Sequence, residues 1–161
     1  MPLTIDTNNK YLRFFLWLVL ISYMLLLTKF VLFKKPPDYI KAHLLHHYGF
    51  RSNLHTANLK PFHTIRMYLA ADMPVKKAFI NLVGNVAGFV PLSILLALLF
   101  NSFRYAGRTI FCVFLLSLGF EIFQLISSLG ECDIDDIILN TLGGIIGYFL
   151  FWVMTKSFLI K

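Results

Sequence analysis

The sequence predicts an all-α polytopic membrane protein: four transmembrane helices and a long polar first loop that contains short interfacial helices. Three observations predict it. Hydrophobic residues make up 58% of the 161 residues and charged residues only 14%, against roughly 45–50% and about 25% in soluble chains. The mean hydropathy is +0.71. The apolar residues also fall into four runs, each close to the ~20 residues that a bilayer-spanning helix needs. The chain reads as a single membrane domain over residues 1–161.

The first ten residues form a polar tail. Residues 11–33 are apolar, bracketed by Arg13 and by Lys34 and Lys35, and make the first span; Pro36 and Pro37 stop it. The run starts after the polar tail, is long enough to span, and has no small-residue cleavage site before Lys29. It therefore reads as a span and not as a cleaved signal. The polar segment that follows holds all five histidines, His43, His46, His47, His55 and His63. His43, His46 and His47 share a helical face, a spacing that can bind zinc, but no Asp, Glu or Cys nearby completes a ligand set. An amphipathic interfacial helix is the simpler reading. Residues 58–62 predict a turn or extended piece and residues 65–71 a short interfacial helix.

Residues 78–100 make the second span. Asn81 and Asn85 stand at i and i+4, Gly84 and Gly88 form a GxxxG pair that admits a close neighbour, and Pro91 predicts a bend. Residues 101–108 are a short basic connection, residues 109–128 the third span and residues 134–155 the fourth, which carries a second close-packing pair, Gly143 and Gly147. Four spans place both termini and the 101–108 connection on one side, where Tyr11, Tyr105 and Trp152 would form an aromatic belt. Lys and Arg are abundant on both sides, so charge does not fix the orientation.

A formal charge of +7 and a pI near 9.5 would suit a nucleic-acid partner. The basic residues cluster beside apolar spans, however, and no nucleic-acid motif is present, so lipid headgroups account for the charge and nucleic acid is excluded. Cys112 and Cys132 build no disulfide framework and no CxxC metal site.

The chain is organised around residues 121–147. Glu121 and Gln124 share one helical face. Asp133, Asp136 and Asn140 stand at i, i+3 and i+7 and share another, with Asp135 between them. Polar groups inside a membrane are unfavourable unless they face protein or water. Clustered carboxylates repel, and need a cation, shared protons or polar partners. Asp133 is placed to cap the fourth span. Capping does not account for three aspartates plus Glu121; the cluster also fits a divalent site for Mg²⁺ or Ca²⁺, with Asp133, Asp136 and Glu121 as candidate ligands, or acid–base work or the binding of a polar headgroup. No Ser/His/Asp set, phosphate-cradling loop or HExxH occurs, so no catalytic residue is assigned and the enzyme question leans towards no.

In order along the chain stand Asn58-Leu59-Lys60-Pro61-Phe62, then Asn81, Gly84 and Asn85 with Phe89 and Pro91, then Glu121 and Gln124, then Asp133, Asp135, Asp136, Asn140, Gly143 and Gly147. Taken together, over roughly residues 58–147, these resemble the VanZ-like family of membrane proteins. Many members carry an arginine in the turn before the aspartates, and here 129–132 has none, which leaves Arg104, Lys60 or a cation to neutralise the acids. The resemblance implies a bacterial plasma-membrane protein linked to tolerance of teicoplanin and related lipoglycopeptides, with no mechanism attached.

The leading expectation is a binding protein. Its polar stripe of Asn81, Asn85, Glu121, Gln124, Asp133, Asp135, Asp136 and Asn140 would hold an envelope lipid, a lipid-linked cell-wall precursor or the lipoglycopeptide, with membrane lipids as further partners. One alternative is a membrane enzyme acting on an envelope lipid with a carboxylate-bound cation. The other is a scaffold that docks a cell-wall partner through Gly84, Gly88, Gly143 and Gly147.

Overall fold

A computed structural model describes residues 9–33, 38, 41, 50–70, 74–127 and 129–157. Among them lie α1 (Lys10–Leu32), α2 (Phe50–Thr56), α3 (His63–Leu69), α4 (Val75–Leu99), α5 (Ala106–Ser127) and α6 (Ile134–Ser157), with a 3₁₀ turn at Asn101–Arg104. Four of these helices, α1, α4, α5 and α6, are long and apolar enough to cross a membrane. Helix α4 begins directly after Pro74, three residues before the expected start of the second span, and α5 begins three residues before that of the third. His43, His46 and His47, the stop at residues 34–37 and Ser128 lie outside the described residues.

Local chemistry sets the helix ends. Asn9 caps α1 by accepting the amides of Tyr11 at 2.9 Å and Leu12 at 3.4 Å, which answers two of the amides that a helix start leaves without intrahelical partners. Pro91 lies inside α4 and has no N–H to offer the preceding turn. Beside it, the Tyr23 hydroxyl of α1 donates to the Gly88 carbonyl, so the side-chain oxygen of a membrane helix is satisfied by its neighbour.

Glycines decide how closely the helices approach. A Cβ at Gly143 would stand 2.1 Å from the Val86 carbonyl oxygen, and one at Gly147 would stand 2.2 Å from that of Val90. The α4 and α6 backbones are therefore in direct contact, as the small-xxx-small pattern allows. Gly144 turns towards α5, where a Cβ would meet the side chain of Val113. Gly84 and Gly88, in contrast, meet only the side chains of Phe30 and Leu27 from α1. The two glycine pairs are not equivalent: one seats a backbone, the other the end of an aromatic ring. Leu27, Val31, Phe89, Leu92, Val113 and Phe120 form the centre of the apolar core. Of the four spans α1 is the least buried, and α4 is the most.

At the end of the bundle that carries Lys10 and Lys156, the belt residues each lie under a cation. Lys10 is 5.1 Å from the Tyr11 ring, Arg108 5.1 Å from Tyr105 and Lys156 4.2 Å from Trp152, within the reach of a cation–π contact. The opposite end carries α2, α3 and the turn between α5 and α6, and the acidic residues gather there.

Candidate functional site

The site is built where residues 58–65 settle on the acidic turn. Asn58 pairs with Asp133 as a single parallel bridge. The Asn58 amide donates to the Cys132 carbonyl at 2.9 Å and the Ile134 amide donates to the Asn58 carbonyl at 3.0 Å. Asp133 then does what its position before α6 predicts: its Oδ1 accepts the Asp135 amide at 2.9 Å as an N-cap. The same carboxylate reaches the incoming segment. Oδ1 also accepts from Asn58 Nδ2 at 2.9 Å, and Oδ2 accepts from the Thr64 hydroxyl at 2.6 Å. Burial pushes the Asp133 carboxyl above its usual range, with the bonds from Thr64, the Asp135 amide and Asn58 opposing it.

Asp135 answers a different problem. At the start of α3 the capping position is held by Phe62, which has φ 63° and no side-chain cap. The fully buried Asp135 accepts the Phe62 amide at 2.5 Å through Oδ1 and the Ile65 amide at 3.0 Å through Oδ2. These are the two amides that a capping box satisfies, those of the N-cap and of the third helical residue. One carboxylate from α6 thus supplies both halves of a capping box for α3.

With Asp133 and Asp135 committed to capping, the inward polar groups are Glu121, Asp136, Asn85, Asn140 and Gln124. Glu121 is 1% exposed, and its Oε2 accepts the Asp133 amide at 2.8 Å. Asp136 accepts from Asn85 Nδ2. One turn deeper, Asn140 Nδ2 donates to Ser117 Oγ at 2.9 Å. Gln124 Nε2 donates to the Val31 carbonyl of α1 at 3.0 Å. Among the described residues, the buried oxygens Asn140 Oδ1 and Gln124 Oε1 have no hydrogen-bond partner, as is also true of Ser93 Oγ and Thr141 Oγ1. Buried polar atoms are rarely left so, and acceptors of this kind suit a donor-bearing ligand or water.

The predicted stripe is thereby divided. Glu121, Asp136, Asn85, Asn140 and Gln124 belong to the interior of the bundle. Asn81 does not join them: its Nδ2 donates to the Tyr68 hydroxyl at 2.7 Å and ties α3 to α4. Burial raises the Tyr68 hydroxyl above its ordinary value; the bond from Asn81 opposes this, while Asp136, Asp133 and Glu131 add to it. Thr64, Tyr68 and Ser117 were not singled out in the sequence. Ser117 had a signal, standing four residues before Glu121 on one face of α5. Thr64 and Tyr68 had none, because Asp133 lies 69 residues from Thr64 and Asn81 stands on a different helix from Tyr68.

Arg104 is not placed to neutralise the acids. It sits in the 3₁₀ turn after α4, a full helix length of about 37 Å from the start of that helix, and its carbonyl accepts the Tyr148 hydroxyl at 2.6 Å. Lys60 does lie at the acidic end, next to the bridge, where its amide donates to Asn58 Oδ1 at 3.2 Å. Among the described residues no three His, Cys, Asp or Glu side chains are grouped to hold a metal ion. Neutral donors take up both carboxylate oxygens of Asp133 and of Asp135.

Cys132 reports on this charge. Burial pushes its thiol up to about 11, with further contributions from Glu121, Asp133 and Asp136. Thiolate is the reactive form, so at pH 8 Cys132 is expected to react with a maleimide roughly a hundredfold more slowly than a thiol of ordinary pKa. The rate should climb towards pH 11. Glu121→Gln removes one of the negative charges and should speed the reaction; stopped alkylation followed by mass spectrometry in a Cys112→Ser background measures it. An unchanged rate would show that Glu121 exerts no field at the turn.

Four apolar helices, each long enough to cross a membrane, with buried acids and amides gathered at one end of the bundle, define a polytopic membrane protein. The VanZ/LLP1 family model matches residues 20–155, and the chain belongs to that family. Protein VanZ of Enterococcus faecium is 38% identical to it over 78 residues, which cover 48% of this chain and 48% of that protein. The chain thus spans about half the length of the curated relative it matches. No solved structure matches it.

Proposed function

We propose that this chain is a bacterial plasma-membrane protein that confers tolerance to teicoplanin and related lipoglycopeptides, by binding an envelope lipid, a lipid-linked headgroup or the antibiotic at its interior polar cluster. The observation that carries this reading is the group formed by Glu121, Asp136, Asn85 and Asn140: buried or half-buried polar side chains at the membrane face, among them an Asn140 oxygen with no donor. Ionisable side chains in a span are unfavourable and mark ligand or ion pathways. The lipid-linked precursors and the antibiotics carry hydroxyl and amide donors that such acceptors recognise. Glu121 and Asp136 are the residues that would hold a Mg²⁺ or Ca²⁺ ion, which would supply positive charge for an anionic headgroup.

The test is teicoplanin susceptibility of a sensitive Gram-positive host that expresses wild type, Glu121→Ala, Asp136→Ala or an empty vector, with membrane abundance followed by blot. Protection by wild type and its loss in both variants at equal abundance is the expected result. Protection that survives both substitutions would remove the cluster as the site. Loss that parallels abundance would reduce Glu121 and Asp136 to packing roles.

A further inference from the structure

Outside the polar cluster, on the lipid-facing side of the α4–α6 seam, lies an aliphatic groove of about 370 Å³. Val83, Val86, Ala87 and Val90 of α4 form one wall, and Leu139 and Ile146 of α6 form the other. Its shape follows from the glycines: with Gly143 and Gly147 against the Val86 and Val90 carbonyls, the two helices cannot shift apart or together without losing the seam, so the furrow beside it is fixed. It runs for about 10 Å along α4. That is about a third of the ~30 Å hydrocarbon core of a bilayer, so the groove seats part of one acyl chain and not its full length.

Helical phasing gives the groove a polar end. Val83, Ala87 and Val90 recur at i, i+4 and i+7, and Lys76 stands seven residues before Val83 on the same line of α4. Lys76 is exposed, about two turns above Val83. On the other wall Leu139 and Ile146 follow Asp135 at i+4 and i+11, and Asp135 holds the Phe62 amide at the start of α3. Lys60 and His63, on either side of that region, are also exposed. The groove therefore leads from an aliphatic floor to a rim that carries lysine. The anions a membrane presents at that depth are lipid phosphates, and a lysine near the surface attracts them.

We infer that the α4–α6 groove is a phospholipid site, with one acyl chain lying between Val83, Ala87 and Leu139 and the lipid phosphate held at Lys76. The site is separate from the interior cluster and does not depend on what that cluster binds. Its lipid would brace α6, whose first turn carries Asp136, and α4, which carries Asn85 about three turns in.

Native mass spectrometry of the full-length protein in detergent tests this, with phosphatidylglycerol and diacylglycerol of identical chains as the probes. Wild type should retain phosphatidylglycerol in preference to diacylglycerol by roughly fivefold, the effect of one lysine near a phosphate. Lys76→Glu should erase that preference while diacylglycerol retention is unchanged. Ala87→Phe, which fills the groove from its outer wall without touching the glycine seam, should reduce retention of both; Val83→Phe fills the same wall should Ala87→Phe not yield folded protein. Equal retention of the two probes by wild type would overturn the phosphate assignment. Undiminished retention in a folded groove-filling variant would overturn the groove. A competing polyprenyl phosphate that displaces phosphatidylglycerol at equal concentration would overturn the phospholipid as occupant.

Discussion

Gly143→Ala is expected to deplete the folded protein from membranes, and Gly143→Leu to abolish it. A methyl at Gly143 would stand 2.1 Å from a backbone oxygen of Val86, which cannot rotate away as a side chain can. Overpacking against movable neighbours already costs about 1–3 kcal/mol; here the α4–α6 seam itself has to open. Gly119 supplies the opposite case, with nothing within 4 Å of a Cβ. Gly119→Ala should be neutral or gain up to roughly 1 kcal/mol, because alanine is the better helix former. Gly84→Ala should be mild, since its nearest neighbour, the far end of the Phe30 ring at 2.9 Å, can move. The three variants, compared by fluorescence-detected size exclusion and by thermal stability in detergent, should rank Gly119 above Gly84 and both far above Gly143. A well-behaved Gly143→Ala beside a collapsed Gly84→Ala would place the tight contact on α1 and contradict the seam described above.

The second large effect is expected at Asp135. Asp135→Ala removes the carboxylate that accepts the Phe62 and Ile65 amides at 2.5 and 3.0 Å, and a hydrogen bond to a charged group contributes about 1.5–3 kcal/mol. Asp135 is itself fully buried, so the two amides lose their partner in a place that water reaches poorly. The 58–69 region should open while the four spans stay assembled. Hydrogen–deuterium exchange would show this as faster exchange confined to α3 and the bridge at Asn58, with the α4 and α6 amides unaffected. Asp135→Asn keeps one acceptor oxygen and should fall between the two. Uniform loss of protection across all helices would mean that Asp135 holds the bundle and not only α3. The same pair of variants, run in the susceptibility assay, separates a role in covering the site from one in lining it.

The two predictions rest on different parts of what the sequence contains. The class and the number and order of spans follow from hydropathy, because lipid requires each span to satisfy its own backbone. Asp133 as the cap of α6 was legible for the same kind of reason, a local one: its partner is two residues away. The motifs that resemble the VanZ-like family marked residues 58–62 as important, without saying for what.

Tertiary structure decided the rest. Helical phasing places Asn81 with Asn85, yet Asn85 meets Asp136 and Asn81 meets Tyr68, since a face of one helix is divided among several neighbours. Phasing likewise makes the two glycine pairs look alike, and only the arrival of a backbone at Gly143 and of a side chain at Gly84 separates them. Asp135 is the same residue type as Asp133 and Asp136, and nothing local distinguishes it. Its role depends on amides 73 and 70 residues earlier in the chain, a distance that no periodicity spans. The sequence by itself determined where membrane helices form and which side chains are too polar to face lipid. Which of those side chains cap, which tie α3 down and which face inward was decided by non-local hydrogen bonds, and these exist only once the helices are packed.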